Sequence, residues 1–74
     1  MNDKTNAKVL IVDDDQSICK IISESLQQVS HQCYTTHSGY ETLSLLEKEP
    51  VNIVLLDLKL PDINGIELLK KIRK

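Results

Sequence analysis

The chain has 74 residues, of which 41 % are apolar and 27 % charged, with two glycines and two prolines. Those proportions describe a folded chain and exclude a disordered tail or a collagen-like repeat; a length under about 100 residues leaves room for one small domain. A formal net charge of −2 offers no basic face to nucleic acid.

In chain order, residues 1–7 are polar and aperiodic, a disordered N-terminus by expectation. "KVLIV" follows, a continuous apolar run closed by "DDD". A short β-branched run without alternation predicts a strand buried on both faces, as in a parallel sheet. From Gln16 the period changes: Ile18, Ile21, Ile22, Leu26 and Val29 recur at helical spacing. They predict an amphipathic helix of about four turns with Asp15 as N-cap. "QCYTTH" is a weaker second strand. "SGYE" reads as a capping box, with Ser38 and Glu41 opening a helix whose stripe is Leu43 and Leu46, with Leu45 at its margin. Pro50 closes that segment. "NIVLLDLKL" supplies a third apolar strand with one acid, Asp57, where the run leaves the core. After the loop "PDIN", Asn64 and Glu67 offer another cap, and a last helix carries Ile66, Leu69 and Ile72.

The order β-α-β-α-β-α implies a parallel sheet flanked by helices, an α/β fold. With no Phe or Trp, aliphatic side chains must fill its core. Single cores under roughly 70–80 residues seldom supply more than about 3–5 kcal/mol without disulfides, metal or a partner chain. Cys19 and Cys33 lack metal-ligand spacing and disulfide-framework density, so both are read as reduced, buried thiols. "MNDKTNAK" lacks the apolar segment of a secretory signal, and no run approaches the roughly 20 residues of a membrane span. The expected compartment is the cytoplasm.

Asp13, Asp14 and Asp15 follow one buried strand and Asp57 ends another. Parallel strands point the same way, so both groups fall on one sheet edge, where ligands of open α/β sheets bind. Carboxylates gathered there repel one another and either raise a pKa or hold a cation. An all-oxygen, water-accessible set suits Mg²⁺, which takes one or two carboxylates with waters and phosphate oxygens. The plainer reading is a charged strand end and a helix cap, but an acid inside "VLLDLKL" costs stability unless solvated or paired.

"KVLIVDDDQSI" at 8–18 and "VNIVLLDLKLPDINGIELLKKIR" at 51–73 resemble the receiver domain of bacterial response regulators, and "CYTTHSGYETL" fits between them. The resemblance covers Lys8 to Lys74 as a partial receiver domain, the N-terminal three-fifths. It implies a truncated flavodoxin-like fold whose three parallel strands stand in the order 2-1-3. Asp57 then resembles the phosphoacceptor, taking a phosphoryl group from the phosphohistidine of a sensor histidine kinase or phosphotransfer protein. Asp14, Asp57 and the backbone carbonyl of Lys59 would ligate Mg²⁺, with Asp13 acting through water. Such a chain is an acceptor and not an enzyme. Pro61 would fix the loop after the phosphoacceptor. Gly65 would allow close backbone packing or an unusual dihedral. For Asp15, helix capping and a family acid both remain open.

Departures from the family pattern are Asn64 where an acid is usual, Thr42 for a common Ala and Asn52 for a common Asp; the last two lie outside the expected pocket. The family's later Ser or Thr and its Lys have no counterpart in the sequence, so phosphoryl transfer is expected to be weak. The third strand becomes an exposed apolar edge, which predicts a marginal fold, a dimer through that edge or a partly unfolded chain. Two other readings compete. "DDDQS" also fits the D-x-D-x-S/T motif of haloacid-dehalogenase-like phosphatases, with Asp13 as nucleophile and Asp15 as acid/base, though it leaves "LLDLKLPDING" unexplained. A non-signalling half-domain that only dimerises is the other. His31 and His37 are read as surface groups, and Tyr34 and Tyr40 as partly buried packing residues.

Overall fold

Strand and helix alternate through β1 (Lys8–Val12), α1 (Gln16–Gln27), β2 (Gln32–Thr36), α2 (Gly39–Lys48), β3 (Ile53–Leu56) and α3 (Gly65–Ile72). The computed structural model describes residues 7–73. The expected disordered segment falls mainly on residues 1–6, outside the described residues. Ala7 is held at its end of the sheet: its N–H donates to His31 Nδ1 at 3.1 Å and its carbonyl accepts from Gln32 at 2.9 Å.

The sheet is parallel in the order β2-β1-β3, as the resemblance implied. Val9 stands opposite Cys33 on one side and Ile53 on the other. β1 is therefore central, and Val9, Leu10, Ile11 and Val12 are all buried. Their alternating side chains feed two cores. Val9 and Ile11 pack with Cys19 of α1, with Ile22 and Leu26 beside them. Leu10 and Val12 pack with Leu68 of α3, joined by Leu43, Leu45 and Leu46 of α2, by Val54 and Leu56 of β3, and by Ile72.

Three helix stripes or caps differ in detail from the sequence expectation. α1 turns Cys19, Ile22 and Leu26 inward, and leaves Ile18 and Ile21 exposed. It stops before Val29 in a Schellman turn. His31 N–H reaches the Leu26 carbonyl, Ser30 N–H reaches that of Gln27, and Ser30 takes the left-handed position at φ 73°. α3 buries Leu68 and Ile72, one turn apart, while Ile66 and Leu69 are exposed. At α2, Ser38 Oγ accepts the Glu41 N–H, but the Glu41 carboxylate reaches back to the N–H of His37 instead of Ser38. Tyr34 packs against the larger core, whereas Tyr40 is 81 % exposed and is no packing residue.

The two departures away from the pocket have local reasons. Thr42 is fully buried and its hydroxyl donates to the Ser38 carbonyl at 2.8 Å. The buried Thr36 hydroxyl lies 2.8 Å from it and so is the donor of that pair, tying the end of β2 to α2. Asn52 Oδ1 accepts the Lys8 N–H at 2.8 Å across the start of β1. Cys19 is buried and Cys33 half-buried, and both thiols are free. No helix among the described residues is long and apolar enough to cross a membrane.

Candidate functional site

β1 and β3 run in register to their last residues, with Val12 opposite Leu56. The ladder continues one bond further on each side of β1: Asp57 N–H donates to the Val12 carbonyl at 2.9 Å, and Asp13 N–H to that of Thr36 at 3.1 Å. Asp13 and Asp57 are therefore carried to the same edge by backbone bonds, and Asp14 follows in the turn toward α1. Asp13, Asp14 and Asp57 each offer a carboxylate oxygen within 4.8 Å of the others. Asp13 and Asp57 are half-buried and Asp14 is exposed.

Short backbone bonds orient the two half-buried carboxylates. Asp13 Oδ1 accepts the N–H of Asp15 at 2.9 Å, and Asp57 Oδ1 accepts that of Lys59 at 3.1 Å. Each such turn fixes one oxygen and leaves a second for a ligand. Asp15 is differently employed. Its Oδ1 accepts from Ser17 and Ile18 as the N-cap of α1, and it stands outside the carboxylate group. The capping reading of Asp15 is the one the geometry supports.

Behind Asp13, the Cys19 thiol donates to the Asp13 carbonyl at 3.4 Å. Burial, reinforced by the charge of Asp13, pushes that thiol above its ordinary pKa and keeps it protonated. A cavity of about 210 Å³ lined by Ile11, Ile22, Leu55, Asp13 and Asp57 adjoins the carboxylates. A larger one, about 520 Å³, lies at the opposite edge among Lys8, Gln32 and Asn52 and touches none of the three acids. Chemistry places the site at the smaller cavity.

An octahedral Mg²⁺ with ligands at about 2.0–2.1 Å sets neighbouring oxygens about 3 Å apart and opposite ones about 4.2 Å apart. The three carboxylates lie within 4.8 Å of one another, the scale on which groups around one such ion stand. Their charge and all-oxygen character suit a hard divalent ion.

The loop from Asp57 to α3 runs on from the carboxylates. Gly65 N–H donates to the Leu58 carbonyl at 2.9 Å, and Lys59 and Asn64 form an isolated antiparallel bridge. Asn64 Oδ1 caps α3 by accepting the Glu67 N–H at 3.0 Å. A Cβ on Gly65 would stand 2.6 Å from the Leu58 Cα and 3.0 Å from the Asp57 carbonyl. Close approach, and not an unusual dihedral, is what requires glycine there. Pro61 lies exposed at the tip, and the Lys59 side chain is exposed too.

One residue of this loop escaped sequence reasoning. Asp62 accepts the N–H groups of Gly39 and Tyr40, both at 2.9 Å, from the first turn of α2. These two donors hold its carboxyl below the usual carboxylate range. Its partners lie more than twenty positions away, so no local motif signals them.

Comparison with known proteins agrees with this architecture. The response regulator receiver domain pattern matches residues 9–74. Sporulation initiation phosphotransferase F of Bacillus subtilis is 37 % identical over 68 residues, covering 92 % of this chain and 55 % of that protein. The alkaline phosphatase synthesis transcriptional regulatory protein PhoP of Bacillus subtilis is 35 % identical over 69 residues, covering 93 % of this chain and 29 % of its own. Among solved structures, the chemotaxis response regulator CheY4 of Vibrio cholerae superposes with a TM-score of 0.89 at 35 % identity, over 93 % of this chain and 57 % of that one. The chain belongs to the response regulator receiver domain family. It spans about half the length of the first of these relatives.

Proposed function

We propose that the chain is the phosphoacceptor portion of a two-component or phosphorelay protein of the cytoplasm. In this reading Asp57 receives a phosphoryl group from the phosphohistidine of a sensor histidine kinase or phosphotransfer protein. The observation that carries it is the meeting of Asp13, Asp14 and Asp57 at the carboxyl edge of the sheet in a receiver-family chain. An oxygen of Asp57 attacks phosphorus, and the new P–O bond forms as the P–N bond to the donor imidazole breaks. The electron pair returns to the ring nitrogen. The Lys59 N–H, already on Asp57 Oδ1, keeps the carboxylate turned so that its other oxygen is available.

Asp14, Asp57 and the Lys59 carbonyl would hold Mg²⁺, with Asp13 acting through water. Bound there, the ion supplies the positive charge that lets an anionic phosphoryl group approach a carboxylate. Pro61 and Gly65 shape the loop that presents Lys59. The chain is thus its partner's substrate and not an enzyme. A phosphatase with Asp13 as nucleophile would require Asp15 as acid/base, and Asp15 is committed to capping α1. In isolation, the chain also offers β3 for self-association: it is the outer strand among the described residues, and its Ile53 and Leu55 are exposed on the face beside that edge.

The test is to incubate the chain with phosphoramidate and Mg²⁺, trap acyl phosphate with borohydride and map the modified residue by mass spectrometry. The expected label is on Asp57, at low stoichiometry, and is abolished by EDTA. Label on Asp13, or none on Asp57, overturns the proposal.

A further inference from the structure

The loop after Asp57 is bonded to itself at its base, through the Lys59–Asn64 bridge and the Gly65 N–H to Leu58 carbonyl bond. Its polar grip on a neighbouring element is made further out, by Asp62. Both oxygens of that carboxylate are used, Oδ1 by the Gly39 N–H and Oδ2 by the Tyr40 N–H, each at 2.9 Å. Two bonds to one planar group fix its orientation as well as its distance. Beside them, the Ile63 side chain occupies the space that a Cβ on Gly39 would fill. α2 has its own cap in Ser38, whose Oγ accepts the Glu41 N–H. Asp62 takes two other N–H groups of the same first turn, where unpaired donors and the helix dipole favour an anion.

We propose that Asp62 is a positioning residue for the cation site: it fastens the β3–α3 loop to α2 and so fixes where the Lys59 carbonyl and the Asp57 carboxylate stand. This inference rests on the Mg²⁺ reading above. Asp62 touches none of the three acids and acts only through the loop that joins them to α3. Residues that orient ligands from behind in this way typically change metal affinity by about 10–100-fold when removed.

The experiment compares Mg²⁺ affinity by calorimetry for the wild-type chain and for Asp62→Ala, Asp62→Asn and Ser38→Ala. Asp62→Ala is expected to weaken binding about tenfold. Asp62→Asn keeps one acceptor oxygen and falls between the two. Ser38→Ala removes the ordinary cap of α2 without touching the loop, and is expected to leave affinity within about twofold. Amide exchange without metal gives an independent readout: Lys59 and Gly65 N–H exchange faster in both Asp62 variants and not in Ser38→Ala. Unchanged affinity and exchange in the Asp62 variants would overturn the proposal, as would an equal loss in Ser38→Ala, which would reduce Asp62 to a helix-stabilising role. A wild-type chain that binds no Mg²⁺ would instead break the functional reading. The exchange comparison would then still decide whether Asp62 fastens the loop.

Discussion

On one face of the sheet, Leu10, Val12 and Leu68 lie beneath side chains from both α2 and α3, and Val54 and Leu56 of β3 join them. On the other, Val9, Ile11 and Cys19 are covered from α1, and Ile53 and Leu55 of β3 stand 46 % and 41 % exposed. The strand sequences do not announce this difference. Both β1 and β3 are unbroken apolar runs, the pattern of strands meant to be covered twice, yet only β1 is. Asp13 and Asp57 line one cavity on the thinner face, with Ile11, Ile22 and Leu55, but the segments that follow them diverge. Asp13 and Asp14 lead into α1, while Asp57 leads into a loop whose Leu60 and Ile63 join the fuller core. Asp57, the proposed phosphoacceptor, thus borders the thinner face together with Asp13, while the loop that follows it is anchored in the fuller core.

Truncating one leucine on each face gives the largest contrast. Leu68→Ala empties a fully buried position in the fuller core and is expected to cost about 3 kcal/mol in denaturant unfolding. Leu26→Ala removes the same atoms from a half-buried position on the α1 face and is expected to cost about 1 kcal/mol. Equal losses would break the comparison. A smaller effect on stability, but a visible one on assembly, is expected at β3. Leu55→Lys places a charge on the uncovered face, should leave stability within about 0.5 kcal/mol, and should shift any concentration-dependent dimer to monomer in analytical ultracentrifugation. A dimer that persists unchanged would place self-association elsewhere.

The backbone order and the acid cluster were legible because each has a local signature. Non-alternating apolar runs mark the strands, and "DDD" and Asp57 sit at strand ends whose direction the parallel topology sets. Asp15 and Asn64 were readable as caps for the same reason, since their partners lie two or three residues away. The helix stripes were less so. In α1, Ile18 and Ile21 are as apolar as Ile22, but only the direction that meets the sheet decides which side turns inward, and the small thiol of Cys19 is buried with Val9 and Ile11 of β1. In α3, Ile66 and Leu69 compete with Leu68 and Ile72, and the facing core selects the second pair. Asp62 was not legible because its partners, the Gly39 and Tyr40 N–H groups, belong to a helix far back in the chain. Chemistry that belongs to one strand end can be read from residues; chemistry that depends on two elements meeting needs the fold.

The central claim is that Asp13, Asp14 and Asp57 act together as one hard-cation site at the end of the sheet. Mg²⁺ calorimetry on the wild-type chain and on Asp57→Asn tests it most directly. The account predicts one Mg²⁺ per wild-type chain and at least a tenfold loss in the variant, with far-UV circular dichroism unchanged. Equal binding by the two proteins, or none by the wild type, would contradict it.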